Sequence, residues 1–135
     1  MPDSSHRVEP LRGMPANAHD FLAETAHGLR GLYGAAAADE YLANAPGLLR
    51  GTLAHPAVRA FAAEGSDGET QAIVIAVMKP PIAQLVYLHV LERHAGQGAE
   101  AALLEQALER LRHEPIEGIT AEYLATAPLE VDSTY

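Results

Sequence analysis

Residues 82–111 read IAQLVYLHVLERHAGQGAEAALLEQALERL, and the change of period within them decides the fold. Residues 82–91 alternate as on a pleated strand, with Ile82, Gln84, Val86, Leu88 and Val90 on one face and Tyr87 and His89 on the other. From Ala99 the period lengthens. Leu104, Leu108 and Leu111 recur at helical spacing, Arg110, Arg112 and His113 fall in the last turn where cations suit the helix dipole, and Pro115 ends the helix. Between strand and helix lie Gly96 and Gly98, which let main-chain N–H groups at the helix start face a ligand with no β-carbon in the way. A strand, a glycine turn and an amphipathic helix in this order predict an anion-binding site whose natural occupants are phosphates. The spacing of Gly96, Gly98 and Ala101 also satisfies the dinucleotide fingerprint, but that motif needs a tight turn directly after the strand and further βα units, for which too little chain follows.

Working outward, residues 6–11 predict a short first strand. Pro15 and Asn17 signal a helix running to about Tyr33, with Asn17 as N-cap and Gly34 as the stop. Residues 35–43 are alanine-rich and helical in propensity, and Pro46-Gly47 is expected to interrupt them before a second apolar turn at 48–53, giving two helical pieces. Residues 58–63 and 71–78 are strand-like and flank the turn cluster GSDGE at 65–69, which predicts an antiparallel hairpin closed by Pro80-Pro81. A further strand is expected at 116–125. Strands and helices alternating in this way make an α/β domain.

The totals narrow the function. A chain of 135 residues is sized for one core. It has no cysteine, which excludes disulfides, thiolate zinc sites and cysteine nucleophiles and fits a cytoplasmic address. The opening MPDSSHRVEPL lacks the basic start and apolar run of a signal peptide, and the strongly apolar stretch at 72–78 is too short to cross a bilayer, so no membrane role is expected. Eighteen acidic against nine basic side chains give a formal charge of -9, which disfavours nucleic acid and favours cationic small partners. His89, Glu92, Arg93 and His94 straddle a strand end and a turn without established ligand spacing, so no metal site is expected.

The segment from Val90 to the helix also resembles the cofactor signature of the GNAT superfamily of acyl-CoA-dependent N-acetyltransferases, a valine ending a strand followed by R-G-x-G-x-G and a pair of leucines. With Val90 in register, Gly96, Gly98, Leu103 and Leu104 match without gaps, while Ala95 stands at the signature arginine and Glu100 at the final glycine. The order of elements resembles the family over most of the chain. The resemblance implies a mixed, mostly antiparallel central sheet flanked by helices, here expected without the C-terminal strands. It implies acetyl-CoA as cosubstrate, held by Val90, Leu91, Ala95, Gly96, Gln97, Gly98, Ala99, Glu100 and Ala101, with direct attack by an amine in a ternary complex. It also implies Tyr135 as the proton donor to the leaving thiolate.

His89 is a second catalytic candidate, able to relay a proton from the amine because its ordinary pKa lies close to neutrality; the alternative is a half-exposed strand histidine. The acceptor is expected to be a primary amine of a small molecule or a peptide amino terminus. A carboxylate at Glu100 favours the free helix start by about 0.3 to 1 kcal/mol yet repels a bound pyrophosphate. The departures at Ala95 and Glu100 keep open a non-catalytic GNAT-like domain serving as scaffold or dimerisation partner. The chain stops where the family continues into further strands, so a single, incomplete domain is expected, and its exposed sheet edge suggests a homodimer.

Overall fold

The computed structural model describes residues 6–121. Five strands form one sheet in the order β1 (Arg7–Pro10), β2 (Val58–Glu64), β3 (Thr70–Lys79), β4 (Ile82–Val90) and β5 (Gly118–Ala121). The first four pair antiparallel, and β5 pairs parallel with β4. Helix α3 (Ala99–Leu111) supplies the crossover that a parallel neighbour requires. Helices α1 (Ala18–Tyr33) and α2 (Ala35–Ala54) connect β1 to β2. This is the mixed, mostly antiparallel sheet flanked by helices expected above.

β3 lies at the centre of the sheet and is buried on both faces, which is why its sequence, TQAIVIAVMK, is apolar almost without alternation. Ala72, Val74 and Ala76 face α3 and pack with Phe61, Leu85, Leu103, Ala107 and Leu111. Ile73 and Ile75 face the other way, toward Phe21 of α1 and Leu53 of α2, in a second cluster that includes Leu91. The β2–β3 turn is closed by the Gly65 N–H donating to the Glu69 carbonyl at 3.0 Å, as the GSDGE cluster predicts.

Three sequence expectations change. α2 is one helix that runs through Pro46. Proline removes a backbone hydrogen bond and costs a helix interior about 3 kcal/mol. Ala38, Ala45, Leu49 and Leu53 nevertheless keep helical spacing across it, so one continuous stripe is buried only if the helix does not break. Asn17 precedes α1 but makes no cap bond; its Nδ2 donates to the Thr70 carbonyl at 2.9 Å and ties the helix start to β3.

The third change concerns β4. Ile75 pairs with Tyr87 and Ala76 with Leu85, so Val86 is an extra residue, a β-bulge, opposite two consecutive β3 residues. The bulge shifts the phase of the strand. Leu85 before it, and Leu88 and Val90 after it, pack on the α3 side, whereas Val86 and Tyr87 both pack on the α1–α2 side. The uninterrupted alternation read from the sequence, with Val86 sharing a face with Leu88 and Val90, is therefore corrected.

Candidate functional site

β4 leads directly into the glycine loop. Leu91, fully buried, donates its N–H to the Gln71 carbonyl at 2.9 Å and fixes the strand end. A single 3-10 turn, Glu92–His94, follows, in which His94 N–H donates to Leu91 and Ala95 N–H to Glu92. Gln97 N–H reaches the His94 carbonyl at 3.4 Å. Gly96 and Gly98 then adopt φ of 80° and 92°, the left-handed region that favours glycine. No side chain caps α3, and its first internal bond is Ala102 N–H to the Gly98 carbonyl at 3.0 Å. The amides of Ala99, Glu100 and Ala101 consequently precede the first helical bond and open out of the helix start.

This arrangement fits a phosphate-bearing cosubstrate. A β-carbon at Gly96 would have open space, and one at Gly98 would meet only the His6 ring at 3.6 Å, so it is the left-handed backbone and not a steric contact that calls for glycine at both. Of the residues expected to bind the cofactor, Gly96 and Gly98 to Ala101 are brought together around the uncapped turn, whereas the N–H groups of Leu91, Ala95 and Gln97 are used within the protein. Arg93, the nearest cation in the loop, turns away. Its guanidinium contacts Asp20 at 3.0 Å and pairs with Glu69, while His94 Nε2 lies 2.8 Å from the other Glu69 oxygen. These partners hold the Glu69 carboxyl below its ordinary range, Arg93 first and His94 second. The cluster pins the loop to α1 and to the β2–β3 turn. Glu100 is exposed in the first turn of α3.

His89 lies on the α1–α2 side of the sheet, with its side chain 15% exposed. Its Nε2 is 2.8 Å from Glu24 Oε1, and because a carboxylate only accepts, Nε2 carries a hydrogen. Glu24 is itself fixed by the Glu92 N–H at 3.0 Å. Phe21 meets the imidazole edge-on at 6.0 Å and Tyr87 stacks on it at 6.3 Å, between centroids. The Tyr87 hydroxyl is 3.0 Å from Thr25 Oγ1. Burial drives the Tyr87 hydroxyl far above its ordinary range, against the pull of the Thr25 hydrogen bond, and burial raises Tyr41 of α2 as well.

Next to these tyrosines is a cavity of about 500 Å³ between α1, α2 and the sheet. Its floor is Ile73, Ile75 and Val86, and Tyr41 and Tyr87 both line it. Glu24, Thr25 and Tyr41 had no role in the sequence reading. Thr25 carried a signal, since it lies between Phe21 and Leu29 at helical spacing on a buried stripe, where a hydroxyl needs a partner. Tyr135 and Tyr123 lie outside the described residues.

No family model and no curated protein matches the sequence. Solved structures do match in fold. The ribosomal-protein-alanine N-acetyltransferase of Brucella melitensis biovar Abortus 2308 superposes with a TM-score of 0.63 at 18% identity, over 97% of this chain and 88% of that one. The PaiA N-acetyltransferase of Thermoplasma acidophilum, in complex with coenzyme A, gives 0.65 at 12% identity over 82% and 75%. The chain has the GNAT fold. An aminoglycoside acetyltransferase from an uncultured soil metagenomic sample, in complex with sisomicin, shares that GNAT fold with a TM-score of 0.61 at 13% identity over 97% and 86%. Among the described residues no helix is long and apolar enough to cross a membrane.

Proposed function

We propose that the protein is an acyl-CoA-dependent N-acetyltransferase that moves an acetyl group from acetyl-CoA to the primary amine of a small molecule or a peptide amino terminus. One observation carries the reading: within the GNAT fold, the bulged strand β4 runs into a loop whose left-handed Gly98 opens an uncapped helix. Acetyl-CoA supplies an acyl group activated as a thioester. The amides of Gly96 and of Gly98 to Ala101 bind its pyrophosphate. In the transfer the amine nitrogen bonds to the carbonyl carbon, the carbon–sulfur bond breaks, the amine loses one proton and the thiolate gains one. His89 accepts the amine's proton at Nδ1, directly or through water, and Glu24 is the positioning residue that holds the tautomer. Tyr135 is assigned the donation to sulfur. A cytoplasmic location and a homodimer belong to the same proposal.

Isothermal titration of the folded protein with acetyl-CoA tests it. Saturable heat is expected, and no heat at millimolar ligand, with the fold verified by circular dichroism, overturns it. Glu100 favours a second reading, a GNAT-fold scaffold without catalysis, because its charge sits at the phosphate-binding turn and Arg93 is engaged elsewhere. Binding that appears only in Glu100→Gly would select that reading.

A further inference from the structure

The cavity between α1, α2 and the sheet opens onto the middle of β4, at the bulge residue Val86 and at Tyr87, one strand end away from the glycine loop. Its described walls are mostly aliphatic and aromatic: Phe21, Leu22, Ala45, Leu48 and Leu49 complete the lining begun by the isoleucines of β3. Polar groups are few. The Tyr87 hydroxyl is already paired with Thr25, and Tyr41, Asn44 and Thr52 supply the remainder. Among the described lining residues Glu40 is the one charged side chain, and it is exposed, which puts it at the mouth. Leu48, 69% exposed, lines the same cavity. Such a volume is in the range of small-molecule sites, which are mostly apolar with a few placed polar groups.

We infer that this cavity is the acceptor site and that it selects a small primary amine with an apolar aliphatic or aryl body and one positive charge. This rests on the acetyltransferase reading above. An aminoglycoside such as sisomicin carries several ammonium and hydroxyl groups, and each one stripped of water here without a partner opposes binding. A single ammonium is drawn in by Glu40 and by the acidic protein as a whole, and the body displaces water from the leucine and isoleucine walls. The ammonium pairs with Glu40 at the mouth, and only after it gives one proton to water does the neutral amine face Val86 and Tyr87 on β4, beside which His89 is stacked.

The test is calorimetric titration of the whole chain with 2-phenylethylamine, 2-phenylethanol and spermidine, alongside acetyl-CoA. 2-Phenylethylamine is expected to bind at least tenfold tighter than spermidine. Glu40→Gln weakens 2-phenylethylamine about fivefold, as for one exposed charge pair, and leaves 2-phenylethanol unchanged. Ala45→Phe, which fills the cavity, abolishes amine binding and leaves acetyl-CoA affinity within twofold. Acetyl-CoA binding without 2-phenylethylamine binding, or spermidine binding more tightly, overturns the acceptor assignment while the transferase reading stands. Binding of 2-phenylethylamine with no acetyl-CoA binding overturns the transferase reading and with it the acceptor role. A cavity variant that weakens acetyl-CoA as much as the amine also overturns the assignment, because the two sites would then be one.

Discussion

Replacing Gly98 with alanine isolates the term that makes the glycine loop what it is. Gly98 sits at φ 92°, where an L-residue costs about 1 to 2 kcal/mol, while loss of freedom in the unfolded chain returns about 0.4 to 1 kcal/mol. No clash adds to this, since the new β-carbon would meet the His6 ring at 3.6 Å, an ordinary contact. The net expectation is a destabilisation of about 1 kcal/mol, or roughly 3 to 5 °C in Tm for a chain of this size. Gly47 provides the opposite sign in the same protein. It lies within α2, a β-carbon there meets nothing within 4 Å, and alanine is expected to stabilise by up to about 1 kcal/mol through helix propensity. Thermal melts followed by far-ultraviolet circular dichroism give both values. The same melts with saturating acetyl-CoA are expected to show a smaller ligand-induced rise in Gly98→Ala and an unchanged rise in Gly47→Ala. A Gly98→Ala protein as stable as the parent would mean that the left-handed conformation is not required, and the account of the loop would fail.

Three further outcomes follow from the packing and the charges. Pro46→Ala restores an amide to the interior of α2 and is expected to raise stability by about 1 to 3 kcal/mol, measured by urea denaturation; an unchanged or lower midpoint would show that the proline is not opposed by the helix around it. Tyr87 has its pKa raised above the ordinary 10.0, so its contribution is fully present below about pH 10 and is lost as pH rises past that value toward the folded one; Tyr87→Phe should flatten the fall of Tm in that alkaline range, and an identical slope would refute the burial argument. Glu69 has its pKa lowered below the ordinary 4.5, so its contribution is present above that pH and disappears as pH falls through the folded value. Glu69→Gln should therefore have a lower Tm than the parent at neutral pH and the same Tm in strong acid, and a difference that persists in acid would contradict the assignment.

What could be read from the sequence was what local chemistry controls. The helix α3, the GSDGE turn and the glycines before Ala99 each carry their own signal and sit where expected, although the buried stripe of α3 is Ala99, Leu103, Ala107 and Leu111, with Leu104 and Leu108 half-buried beside it. What could not be read depends on partners distant in the chain. Pro46 is a helix breaker by itself, and only the buried stripe of Ala38, Ala45, Leu49 and Leu53 overrides it. Val86 gives no warning of a bulge, because neither it nor its neighbours is glycine or proline, and the phase of the strand is set by β3. His89 could be ranked as a candidate from its residue type, but its carboxylate partner is 65 residues away on α1. Arg93 is likewise held by carboxylates distant in the chain, Asp20 and Glu69.

The extra residue in β4 also divides the strand into two stretches with different evolutionary freedom. Ahead of Val86, Ala83 and Leu85 are buried and the backbone is paired on both sides, with β3 and with β5, so substitutions there would be filtered by folding. Beyond it, Tyr87 and His89 turn toward α1, and Tyr87 lines the cavity. Their partners are Thr25 and Glu24 of α1, so a change at either position acts on the docking of that helix and leaves the backbone ladder alone. A library randomised at 83 and 85 would lose the sheet core, and one randomised at 87 and 89 would lose the Thr25 and Glu24 pairings that seat α1 on the sheet.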